Sequence, residues 1–176
     1  MNNLPALYPG RLHLLLALQS ARFELVNALV ARLACSGPLL ILDGGNCFQA
    51  HRIVRQVRRH TSDMESALGH IYIARAFTCY QVVALLADTP AAPVPTLVLD
   101  LLSTFQDENV PLHERRRLLQ ASLGELRRLS QQAPTLVSAA LEAAHQSSDL
   151  LDLLEESADQ VYRFEPKPAP EPLRLF

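Results

Sequence analysis

The sequence predicts an α/β fold of three layers, in which a mostly parallel central sheet is flanked by helices. Three observations predict it. Short aliphatic runs alternate along the chain with segments of helical periodicity. Several of those runs, LLLAL, LLILD and TLVLD, are apolar almost without interruption, which suits strands covered on both faces. The chain has 176 residues, enough for one domain with its own core.

The elements follow in order. Leu12–Leu18 reads as the first strand, and Phe23, Val26, Leu29, Val30 and Leu33 then form the apolar stripe of a helix. Leu39–Asp43 is the second strand. Ile53, Val54 and Val57 mark a helix ringed by Arg52, Arg55, Arg58 and Arg59. Ile71–Ala74 is the third strand, and Tyr80 to Leu86 its helix. The loop AAPVP, residues 91–95, precedes a fourth strand at Thr96–Leu101. From His113 to Leu129 a long helix places Leu118, Leu119, Ser122, Leu126 and Leu129 inward. Arg115, Arg116, Arg117, Arg127 and Arg128 fall on its polar side. Strands at Thr135–Ser138 and Gln160–Phe164 enclose a last helix from Leu150 to Ala158. This alternation calls for right-handed crossovers. Residues 1–165 make one domain, and residues 166–176, PKPAPEPLRLF, a Pro-rich flexible tail.

Composition removes several function classes. The formal net charge of −2 does not suit a dedicated nucleic-acid binder, which needs a basic face. No apolar run is long and uncharged enough to span a bilayer, and the N-terminus lacks the positive leader of a secretory signal. Cys35, Cys47 and Cys79 are odd in number and widely spaced. They suggest buried thiols in a reducing cytoplasm, not a disulfide framework. The six histidines show no metal-binding spacing, and no cofactor is expected. Of 16 basic residues only Lys167 is a lysine, and it lies in the tail.

Four pieces of sequence, in order, then point to a family. LLILDGGNCF, IYIARAFTCYQVVALL, PTLVLDLLSTFQ and SADQVYRFEP resemble successive segments of the RecA-superfamily ATPase core, over about residues 8–165. The ARAF of Ala74–Phe77 is the most specific of them, and Asp100 takes the position of the Walker B carboxylate. The resemblance implies a RecA-like three-layer domain with ATP-dependent chemistry, but this chain departs where that chemistry resides. The phosphate-binding loop would fall on Ala17–Glu24, across the turn read from Leu18 to Glu24. There Gln19, Ser20, Arg22, Phe23 and Glu24 replace its glycines, its lysine and its metal-binding hydroxyl. Glycines let backbone N–H groups turn inward around phosphates, and side chains with Cβ atoms resist those angles. The family's water-activating carboxylate falls on Gly45. Asp100 alone cannot organise phosphoryl transfer.

The resemblance therefore implies a protein that is not an enzyme: a RecA-like domain without its P-loop, accessory to DNA repair or recombination. Its expected partners are proteins, among them a recombinase, a polymerase accessory factor or a sliding clamp, with a homodimer also expected. The last residues resemble a clamp-docking peptide, through Leu173, Leu175 and Phe176, with Pro172 in place of its glutamine. The alternative is that this tail packs on the domain. Two further readings stand beside the first: a degenerate nucleotide-binding ATPase, and a single-stranded nucleic-acid module. The last would use the arginines at 52, 55, 58 and 59 with those at 115–117 on one face, and solvated helix faces are the commoner outcome for such clusters. Asp43 and Asp100 are expected to bond backbone at the strand ends, and Gly44-Gly45 to make a tight turn.

Overall fold

A computed structural model of the chain describes residues 4–141 and 148–164. Six parallel strands form one sheet between two layers of helices. The elements are β1 (Leu12–Ala17), α1 (Gln19–Ala34), β2 (Leu39–Asp43), α2 (Ala50–Val57) and α3 (Met64–Gly69). Then come β3 (Ile71–Arg75), α4 (Cys79–Asp88), β4 (Thr96–Leu99), a 3-10 helix (Leu101–Gln106), α5 (Leu112–Ser130), β5 (Thr135–Ala140), α6 (Ser148–Ser157) and β6 (Gln160–Phe164). The strand order across the sheet is β3-β2-β4-β5-β1-β6.

The aliphatic runs became interior strands because both of their faces are covered. Every residue of β1 is buried. Its side chains alternate: Leu12, Leu14 and Leu16 enter a cluster with α4, the 3-10 helix, α5 and α6, while Leu15 and Ala17 enter one with α1, α2 and α3. β4 divides in the same way, with Val98 on one side and Leu97 and Leu99 on the other. Local signals agree where side chains can cap. Thr78, the N-cap of α4, accepts a hydrogen bond from the Gln81 backbone amide at 3.2 Å, and the Gln81 side chain accepts from Phe77 N at 2.8 Å, so side chains hold both sides of the helix start.

Four expectations are corrected. No turn spans Leu18 to Glu24: Leu18 alone links β1 to α1, and Gln19, Ser20, Arg22, Phe23 and Glu24 are already helical. That stretch holds no glycine or proline, so nothing stops the helix from starting directly after the strand. The fourth strand ends at Leu99, because Asp100 adopts φ 51°, ψ 51° and the chain then winds into the 3-10 helix instead of a loop. The helix α3 was not expected. Of the thiols only Cys79 is buried, whereas Cys35 is exposed and Cys47 half-buried.

Candidate functional site

The carboxyl ends of β1, β2, β4 and β5 meet in the middle of the sheet, where open α/β sheets hold their ligands. Three connections supply the side chains found there. α1 starts one residue after β1, so its first turn lies over the strand ends and carries Arg22 inward. The left-handed backbone at Asp100 turns that carboxylate away from the β4 direction. Its amide donates to Ser138 Oγ on β5 at 3.0 Å, which fixes the turn.

Arg22 and Asp100 form an ion pair, Nη2 to Oδ2, at 3.0 Å. The arginine side chain is 3% exposed and the aspartate side chain 16%. The guanidinium carbon also sits 5.6 Å from the Phe23 ring centroid. Nη1 of Arg22 is buried without a hydrogen-bond partner. Charges enclosed in this way interact strongly, because little water screens them. The pair places a cation and an anion together and leaves the crevice with no net charge from these two residues.

The β2 end is built around Asp43, which is fully buried. Its two oxygens accept hydrogen bonds from the amides of Cys47 at 2.9 Å and Phe48 at 3.0 Å. Arg75 from β3 adds an ion pair at 3.3 Å. Gly44 and Gly45 both donate to Leu99 O, at 3.0 and 3.1 Å, and so bind the turn to the end of β4. A Cβ on Gly45 would overlap the Cβ of Asp100. This position therefore needs glycine for close approach, and no carboxylate could stand there without moving Asp100. Cys47 is pushed up to about 12, by burial first and then by Asp43 and Asp100. Its sulfur stays a thiol and is no nucleophile at neutral pH.

The other predicted residues lie apart from this crevice. Arg52 and Arg55 are on α2, with Arg58 and Arg59 just past its end. Arg115, Arg116 and Arg117 are on α5, beneath the opposite face of the sheet, so the two clusters do not share one face. The α5 group is engaged: Arg115 with Phe105 O at 3.1 Å, Arg116 with Asp149 at 3.6 Å, Arg117 with Glu114 at 2.7 Å. The α2 group makes no ion pair among the described residues. Leu173, Leu175 and Phe176 lie outside the described residues. Among the described residues no group of His, Cys, Asp and Glu could hold a metal ion, and no helix is long and apolar enough to cross a membrane.

Two features escaped the sequence reading. One is the Arg22–Asp100 pair itself. The other is the edge of the sheet at β3, where Tyr72, Ile73, Phe77 and Tyr80 are all exposed, Phe77 by 63%. The sequence of β3, IYIAR, carries no sign of this, since its apolar residues read like those of an interior strand and only the strand order puts β3 at the edge.

The fold is a three-layer α/β domain with an enclosed Arg22–Asp100 ion pair at the carboxyl ends of its central strands. No protein-family model matches the chain, and no curated protein matches it.

Proposed function

We propose that this protein is a non-catalytic RecA-like interaction module, accessory to DNA repair or recombination, which acts in the cytoplasm through protein partners. The observation that carries this reading is the Arg22–Asp100 pair. The side chain at the Walker B position is committed to an internal cation, and α1 begins too early to leave a phosphate cradle. Binding a triphosphate with magnesium there would require breaking the pair and uncoiling the start of α1. Contacts then fall to the outer surface. The outer edge of β3, which no described residue pairs with, offers main-chain hydrogen bonds together with the apolar area of exposed aromatic side chains, the usual means of protein docking.

The test is an amide NMR titration of the full chain with MgATP, with Gly44 and Gly45 as the reporters inside the crevice. Their resonances should not move, and no ATP should be hydrolysed. Saturable shifts at these two glycines would replace this reading with that of a degenerate nucleotide-binding ATPase.

A further inference from the structure

We propose that the cleft between α1 and α2 binds a phosphate monoester or short polyphosphate through Arg52, Arg55 and Arg59. The cleft is separate from the strand-end crevice. It encloses about 190 Å³ and is lined by Glu24 and Asn27 of α1 and by Arg52, Arg55, Gln56 and Arg59 on and just beyond α2. It is smaller than the roughly 300–1,000 Å³ of a site for a whole drug-sized ligand. A single charged group fits it better than a complete nucleotide.

Charge identifies that group. Three guanidiniums and one carboxylate line the cleft, so the lining carries an excess of two positive charges at neutral pH. The arginines recur at spacings of three and four residues, which brings them to one side of the helix. Like charges at that spacing repel one another, yet none of the three makes an ion pair among the described residues. Other arginines of this protein do: those at 22, 75, 116, 117, 127, 128 and 163 all meet a carboxylate. Nε of Arg52 is moreover buried with no hydrogen-bond partner. Arg22 Nη1 and Arg115 Nε lack an acceptor as well, but of these three atoms Arg52 Nε alone belongs to the lining of this cleft, where an anion supplies one. The planar fork of arginine matches phosphate oxygens in pairs, and the side-chain amides of Asn27 and Gln56 add neutral donors. A phosphate dianion, with more acceptor oxygens and twice the charge of a carboxylate, matches the excess of two positive charges better. Glu24 weakens the site by repulsion, which makes it a sensitive control.

The experiment is isothermal titration of the full chain with inorganic diphosphate, in a low-salt buffer free of phosphate. The side-chain amide resonances of Asn27 and Gln56 serve as local reporters, distinct from the Gly44 and Gly45 signals that test the crevice. Saturable one-to-one binding that moves these amides is expected. The double variant Arg55→Ala, Arg59→Ala removes two exposed side chains and should melt like the wild type. It should bind about tenfold more weakly or worse, since charge-assisted contacts are lost. Glu24→Gln should bind more tightly. Inorganic phosphate should compete for the same site, as a free-anion source of the same chemistry. The proposal is overturned by absence of saturable binding at millimolar diphosphate, by unchanged affinity in the double variant, or by unchanged affinity in Glu24→Gln. Tighter binding of single-stranded oligothymidylate than of diphosphate would overturn it in favour of a nucleic-acid surface.

Discussion

Gly45, in the strand-end crevice, and His13, at the opposite end of β1, show what single residues impose on this fold. Gly45 lies flush against Asp100, and any Cβ there must displace the aspartate or its own turn. Gly45→Ala should cost about 1–3 kcal/mol, the usual range for overpacking a tight site, measured by urea unfolding. An unchanged midpoint would mean that the turn gives way freely. His13 is the one polar side chain of β1 and is wholly buried. Its Nε2 lies 3.0 Å from the Tyr8 amide and 3.2 Å from the Tyr8 carbonyl, and its ring stacks on Tyr162 with centroids 6.0 Å apart. Burial holds its pKa below the ordinary 6.5; the Tyr8 backbone and Asp159 oppose that shift and Arg11 adds to it. The unfolded chain therefore takes up a proton at higher pH than the folded one. Stability from this residue is complete above 6.5 and is lost as pH falls through the folded value. His13→Phe should flatten the pH dependence of unfolding in that window, and an equally steep profile in the variant would assign it to other groups.

At the scale of elements, strands were easier to read than the links between them. LLLAL, LLILD and TLVLD are long aliphatic runs because β1, β2 and β4 are covered on both sides, and that burial is written in composition. The 3-10 helix was hidden because LLSTFQ continues the apolar run of β4, and periodicity cannot separate a strand from a short apolar coil. α3 has six residues, fewer than two helical turns, too few for a stripe to show. The expected turn from Leu18 to Glu24 came from starting the helix at Phe23, where its apolar stripe begins; the helix starts four residues earlier, at Gln19. The edge strand β3 carries its own prediction. Tyr72 and Ile73 are exposed beside an unpaired edge, so the wild type should self-associate as protein concentration rises. Tyr72→Lys with Ile73→Lys should abolish this in sedimentation experiments, with stability changed by no more than about 0.5 kcal/mol, as for other surface substitutions. A wild type that stays monomeric at high concentration would leave this edge to other proteins.

Across the whole molecule, one sheet brings together residues far apart in sequence. Arg22 and Asp100 are 78 residues apart and meet because β4 and β1 lie on either side of β5. Each alone reads as an ordinary charged residue, and only the strand order makes them partners. The sequence shows plainly that Leu18 to Glu24 holds neither glycine nor lysine and that Gly44 and Gly45 follow β2; it does not show that Arg22 and Asp100 meet. The closed state of the crevice depends on that enclosed pair. A double-mutant cycle tests it most directly, with Arg22→Met, Asp100→Asn and both together, each followed by urea unfolding. Removing one partner of a buried pair should cost about 3–5 kcal/mol. The two substitutions together should cost less than their sum by about 2–3 kcal/mol. Costs that simply add, within about 0.5 kcal/mol, would contradict the pairing and reopen the crevice.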